Sequence, residues 1–264
     1  MDSSLDTIFM ELASDTRRLM LQKLVLKDQK LSTLAKDLNL TIQEAHRNAT
    51  RLSSSGLIAK KSDNLFSITN YGKMVFGQVS SYEFLIKYSK FFKEHSVDDL
   101  PSKFVQRFGD LKNHQFVSGL GPVIEKWKNI AREANEFLKI STSQYPLDMA
   151  KEAVNVVERG IKFSYILGHD TFVPQEREEL LKSSKWLKRV SEGIVARKML
   201  KKVGVSVTIS EKQACLTFPD LREQIDMATG FFSSDKSFLD WCNDLYDYQW
   251  NNAESFNEKY LKKI

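Results

Sequence analysis

The stretch that most constrains this chain is Lys30 to Lys61, KLSTLAKDLNLTIQEAHRNATRLSSSGLIAKK. Leu31, Leu34, Ala35 and Leu38 fall at i, i+3, i+4, i+7 and give a short helix one apolar stripe. Asn39 ends that helix, because Asn tolerates the left-handed conformation a sharp helical stop requires. Thr41 opens a second helix. Its hydroxyl can accept from the Glu44 N–H while the Glu44 carboxylate reaches back to the Thr41 N–H, a T-x-x-E capping box. Ile42, Ala45, Ala49 and Leu52 are expected to face inward, leaving Gln43, Glu44, His46, Arg47, Thr50 and Arg51 outward. Gly56 stands where a left-handed C-terminal cap belongs, and Leu57 beyond it can fold back on the core. LIAKK and LFSIT then read as two short strands joined by Ser-Asp-Asn, a tip whose Asp and Asn accept positive φ.

Two helices joined by a short turn and followed by a small ribbon make a winged helix-turn-helix. In that motif the second helix enters the major groove of DNA and the ribbon lies along the backbone. A capping box alone is common; the complete ordered set carries the reading. Gln43, His46, Arg47 and Arg51 are the expected base or groove contacts, since Arg suits guanine and Gln suits adenine. Thr41, Asn48, Lys60, Lys61 and Asn64 are better placed for phosphate, where contacts orient without reading sequence. Units of this kind also join proteins with the reading helix covered, so a protein-interaction module without DNA binding is the alternative.

Charge is distributed in keeping with the first reading. Thr16 to Lys61 holds ten Lys/Arg against three Asp/Glu, whereas residues 91–264 hold 26 against 25. A basic excess confined to the proposed reading head is what phosphate contact requires. At 264 residues the chain exceeds a typical single domain, so two domains are expected. No apolar run approaches the ~20 residues that span a bilayer, and the acidic N-terminus lacks the order of a signal peptide. Cys215 and Cys242 form neither a metal spacing nor a disulfide framework, and no paired His indicates a metal. A cytoplasmic protein with reduced thiols and no cofactor is expected.

Leu5 to Val25 supplies an opening helix or helix pair with Ser14 as an N-cap. After the ribbon, Asn70 caps YGKMVFGQVSSYEFLIKYSKFFKEH, in which Tyr71, Met74, Val75, Val79, Tyr82, Leu85 and Ile86 recur at helical spacing and Phe91–Phe92 extend the apolar character. That is too apolar for a free linker. A long connecting helix that pairs with a second subunit accounts for it, and two-fold dimers match palindromic operators. Leu100–Pro101 closes this segment. The expected domains are therefore 1–70, the reading head; 71–100, the connecting and dimerisation helix; and 101–264, an α/β domain.

In that last domain a short helix is expected over Phe104 to Asn113 and a clear one over Pro122 to Glu136, with Val123, Ile124, Trp127, Ile130, Ala131 and Ala134 on a single face. FLKIST and IKFSYIL then read as strands flanking a Pro146–Arg159 helix, a βαβ unit whose strands lie parallel. Pro174 to Ser183 reads as helix, as does the SEGIVARKMLKKV region. Val205–Ser210 and Gln213–Phe218 read as strands, and Phe238 to Lys263 as an aromatic-rich helix. The sheet would hold about four strands.

ELASDTRRLMLQKL, LSTLAKDLNLTIQEAHRNATRLSSSGLI, FLIKYSKFFKEHSVDDLP and GFFSSDKSFLDWCNDLYDYQW together resemble a family of archaeal transcription regulators. Members carry an ArsR-like winged helix followed by a domain first named for a methanogen regulator of filament formation and methanogenesis. The matching runs span nearly the whole chain; the last two are the more specific. The resemblance implies transcriptional control, a homodimer, and an α+β architecture whose C-terminal domain looks like half of a phospholipase D fold. Sugar-sensing archaeal regulators carry a similar half and bind small ligands with it.

Phospholipase D chemistry needs a nucleophilic His with Lys two residues on, in H-x-K-x4-D. None of His46, His95, His114 and His169 is followed by Lys at that spacing, so no enzymatic activity is expected. Ligands of open α/β sheets bind outside the carboxyl ends of strands. That rule nominates Ser141, Ser143, Gln144, Tyr145, His169 and Asp170 as an effector pocket, beside the plainer reading of them as ordinary polar loop residues.

Overall fold

The computed structural model describes residues 4–263, apart from the side chain of Asp170. The fold is mixed α+β and divides into two compact units, Met1–Tyr82 and Glu83–Ile264. The division falls inside the segment read from sequence as one connecting helix.

The first unit opens with α1 (Leu5–Ala13) and α2 (Asp15–Leu26). Ser4 and Ser14 cap them, each hydroxyl accepting from an N–H of the first turn. Next come β1 (Gln29–Lys30), α3 (Leu31–Asp37), α4 (Ile42–Ser54), β2 (Ile58–Lys60), β3 (Leu65–Ile68) and α5 (Asn70–Gly77). The strands form an antiparallel sheet in the order β1-β3-β2. Asn39 at φ 54° and Gly56 at φ 74° end α3 and α4 in the left-handed region. Asn64, at φ 62°, sits at the hairpin tip. Met20, Leu21 and Leu24 of α2, Leu34 of α3, Ala49 and Leu52 of α4, and Leu57, Ile58, Phe66 and Ile68 of the ribbon bury one core. Ile42 does not join it. It is 55% exposed, on the first turn of α4.

The segment after the ribbon is not one helix. α5 stops at Gly77, α6 covers Val79–Lys87, and Phe91–Lys93 form a single 3₁₀ turn. Phe84, Tyr88, Phe91 and Phe92 belong to the core of the second unit. Phe92 stacks on Phe108 with centroids 5.7 Å apart, and Phe91 meets Phe231 edge-on at 5.3 Å. The aromatic character that sequence assigned to a partner helix is largely spent inside this unit. Tyr82 and Ile86 do remain exposed.

The second unit continues with α7 (Ser102–Val105), β4 (Gln115–Ser118), α8 (Leu120–Glu133), β5 (Phe137–Gln144), α9 (Leu147–Glu158), β6 (Lys162–Val173), α10 (Glu176–Ser183) and α11 (Trp186–Ser191). It closes with β7 (Val195–Leu200), β8 (Ser206–Ser210), β9 (Ala214–Thr217), β10 (Thr229–Ser233), α12 (Lys236–Asn252), β11 (Glu254–Ser255) and β12 (Lys262–Lys263). Among the described residues these strands make one nine-stranded mixed sheet, β11-β7-β6-β5-β8-β9-β10-β4, with β12 added to β6. β5, α9 and β6 form the expected βαβ unit with parallel strands.

Alternation sorts the side chains between two faces. Leu138, Ile140, Phe163, Tyr165 and Leu167 pack beneath α8 and α9, while Ile166, Val207, Ile209, Leu216 and Phe231 pack against α12. Covering both faces explains why β8 and β9 are buried along their whole length. Trp241 is fully buried here, its indole N–H donating to the Phe104 carbonyl at 3.1 Å.

Three expectations need correcting. The SEGIVARKMLKKV region holds strand β7, not a helix: Gly193 at φ 74° ends α11, and pairing with β6 then outweighs local helix propensity. The final helix ends at Asn252, after which the chain adds β11 and β12 to the sheet. The sheet has nine strands among the described residues, not about four, because short or charged edge strands such as β4 and β11 carry no alternation to read. No helix among the described residues is long and apolar enough to cross a membrane.

Candidate functional site

In the first unit, α4 and the β2–β3 hairpin border a groove of about 500 Å³. His46 and Thr50 line it from α4, Lys60 and Asn64 from the hairpin, Lys30 from β1 and Ser32 from the start of α3. The capping box that starts α4 is complete: the Glu44 N–H donates to the Thr41 hydroxyl at 3.2 Å, and the Thr41 N–H donates to Glu44 Oε2 at 2.9 Å. Those two donors of Thr41, backbone and hydroxyl, hold the Glu44 carboxyl below its ordinary pKa. Thr41 therefore has a structural task already.

The cations of this face fall into two groups. Arg47 and Lys60 are exposed and make no hydrogen bond or salt bridge among the described residues. The same holds for the side chains of Gln43, His46 and Asn64. Arg51, by contrast, is committed. Its guanidinium meets Glu11 at 2.7 Å, and Glu11 also takes Arg17 at 2.7 Å. The Glu11 carboxylate raises the Arg51 pKa through a direct hydrogen bond; burial lowers that of Arg17. Lys61 is committed likewise, its ammonium 2.5 Å from Asp28, which raises its pKa. Asn48 is half-buried, donating to the Glu44 carbonyl at 2.9 Å and accepting from Arg17 at 3.3 Å.

Of the nine nominated residues, Gln43, His46, Arg47, Lys60 and Asn64 are thus exposed and uncommitted, and the structure brings His46, Lys60 and Asn64 together on the groove. Thr41, Asn48, Arg51 and Lys61 are spent on internal contacts. Sequence reasoning missed Lys30 and Ser32 as groove walls. Lys30 lies on a two-residue strand, too short for any periodicity to reveal.

The strand-end nominations in the second unit do not converge. β6 runs to Val173, not Leu167, so His169 lies within the strand rather than beyond it. Its Nε2 meets Glu254 at 2.6 Å and its ring stacks on Tyr260 with centroids 4.0 Å apart. Ser141 is fully buried inside β5, with no partner for its hydroxyl among the described residues. Tyr145 is buried, and burial pushes its phenol pKa up. Ser143 and Gln144 are half-buried beside a β-bulge between Thr142 and Gln144. The Asp170 side chain lies outside the described residues.

No protein-family model and no curated protein matches the chain. Solved structures show a distant likeness. TrmBL2, described as an archaeal chromatin protein with a novel mode of DNA binding, is 15% identical, covering 89% of this chain and 92% of its own at a TM-score of 0.43. NucT from Helicobacter pylori is 15% identical over 55% of this chain and 99% of its own, with a TM-score of 0.40. Nuc from Salmonella typhimurium, a phospholipase D family member, is 8% identical over 55% and 98%, also at 0.40. Likeness at these scores carries no assignment of function.

Proposed function

We propose that the first unit is a winged helix-turn-helix that binds double-stranded DNA, with α4 in the major groove and the β2–β3 hairpin along the backbone. The observation that carries this reading is the open face just described: Gln43, His46, Arg47, Lys60 and Asn64 are exposed and uncommitted, and His46, Lys60 and Asn64 line a groove of about 500 Å³. A face kept for intramolecular packing would have its cations paired, as Arg51 and Lys61 are. Arg47 and Gln43 read base edges; Lys60, Lys30 and Asn64 hold phosphates.

On this reading the chain is a cytoplasmic transcription regulator, homodimeric and responsive to an effector held by the second unit. The first unit leaves Leu5, Phe9 and Met10 of α1 and Tyr71 and Met74 of α5 in water, apolar area that a second copy would cover. No catalysis is included, since no His is followed by Lys at the phosphodiesterase spacing.

Fluorescence anisotropy with a random-sequence duplex tests the proposal. Salt-sensitive binding is expected, and Arg47→Ala should lower affinity for a selected site more than for random sequence. Absence of binding at low salt would leave the protein-interaction reading in its place.

A further inference from the structure

The second unit holds a cavity of about 390 Å³ at the carboxyl end of β6, between α10, α11, β7 and the closing segment. Its volume lies in the range of small-molecule sites. Five cations line it, Arg177, Lys182, Arg197, Lys259 and Lys263, against only Glu178 and Glu258. Glu178 is occupied by Lys182 at 2.7 Å and Lys263 at 2.6 Å. Val173, Leu181, Trp186 and Leu187 supply an apolar wall.

The two arginines are arranged around one carboxylate. Arg177 Nη1 lies 3.2 Å from Glu258 Oε2, and Arg197 Nη1 lies 3.2 Å from Glu258 Oε1. Arg177 is only 5% exposed, and the Arg197 guanidinium lies over the Phe256 ring, 4.5 Å from its centroid. The receptor is therefore rigid. Its occupant is not: Glu258 is half in solvent, on a three-residue 3₁₀ turn, and both contacts are longer than the ~2.7–2.9 Å of a tight guanidinium–carboxylate bond. Arg177 Nε and Trp186 Nε1 are shielded from solvent and have no acceptor among the described residues. Arginine side chains only donate, so a ligand held between Arg177 and Arg197 must bring acceptors.

We propose that this cavity binds a small organic carboxylate. The ligand's carboxylate takes the place of Glu258 between Arg177 and Arg197, and its apolar body lies against Leu181, Trp186 and Leu187. Glu258 is then an internal competitor, displaced when the ligand enters. The proposal goes beyond the DNA-binding reading and stands without it, because binding is measured on the protein alone.

Isothermal titration of the full chain with phenylacetate tests it, with phenyl phosphate and 2-phenylethanol as comparison probes. Phenylacetate should bind one site per chain, at least about tenfold more tightly than the uncharged alcohol. Arg197→Gln should lose that preference, and Glu258→Gln should tighten binding by removing the competitor. The gain in Glu258→Gln is a result that misfolding cannot mimic, so the test survives a poorly folded Arg197 variant. No saturable binding, equal affinity for acid and alcohol, or weaker binding by Glu258→Gln would overturn the proposal. Preference for phenyl phosphate over phenylacetate would overturn the carboxylate assignment.

Discussion

The division of the reading face into free and committed cations can be measured through salt dependence. Each phosphate contact lowers log K by about 0.9 per tenfold rise in salt, so raising salt fourfold costs about 3.5-fold in affinity per contact. A two-fold dimer loses about 12-fold for the pair. Lys60 faces the groove uncommitted, so Lys60→Ala should flatten the slope by the full amount. Lys61 must first leave Asp28, 2.5 Å away, so Lys61→Ala should flatten it by less than half as much. Asp28→Asn releases Lys61; in that background the two alanine variants should match, and the parent slope should steepen. Anisotropy titrations from about 50 to about 200 mM salt on a random duplex resolve these differences. If Lys61→Ala flattens the wild-type slope as strongly as Lys60→Ala, the distinction between free and committed cations is wrong. If Lys60→Ala leaves the slope unchanged, the hairpin does not lie on the backbone.

Four further expectations use other parts of the molecule. Glu11→Gln leaves the Arg17 guanidinium, 12% exposed, without its carboxylate, a loss of about 2 kcal/mol in urea unfolding, and frees Arg51 to strengthen DNA binding by the folded protein. Gly72→Ala places a methyl group 2.0 Å from the Leu57 carbonyl oxygen, a backbone atom that cannot swing aside, and should cost about 3 kcal/mol by the same assay. Trp241→Ala removes a fully buried indole and its hydrogen bond to Phe104, costing about 4 kcal/mol. Asp226 titrates on the acid side. Burial opposes its charge, but the Thr229 hydroxyl, the His95 ring and the Ala228 N–H together hold its carboxyl below the ordinary 3.8. The unfolded chain therefore takes up that proton first: the stabilisation is complete above 3.8 and is lost as pH falls through the lower native value. Asp226→Asn should remove that part of the acid-side decline in urea midpoints.

Much of the first unit was legible because its determinants are local. Thr41 and Glu44 stand three residues apart, Asn39 and Gly56 act through their own φ, and Ala45, Ala49 and Leu52 follow one helical period. Strand β7 was not legible, since VARKML is made a strand by parallel pairing with β6, some thirty residues earlier in the chain. Aromatic residues from Phe84 to Phe92 misled for the same reason: apolar spacing says that a face is covered, not by what. Their partners, Phe108, Phe218 and Phe231, lie as far as about 140 residues away.

The reading face shows the same limit in charge rather than packing. A census of Lys and Arg from Thr16 to Lys61 counts Arg51 and Lys61 as equal to Arg47 and Lys60, because composition records cations and not their partners. Glu11 lies forty residues from Arg51, and Asp28 lies thirty-three from Lys61. Only the fold brings these carboxylates onto the face, and in doing so it leaves two of those four cations free for the proposed DNA contacts. The carboxylates also hold α1 to α4 and the loop before β1 to the hairpin. DNA that drew Arg51 or Lys61 away would loosen these joints. Of the four, then, affinity can rest on Arg47 and Lys60 without cost to the unit's own stability.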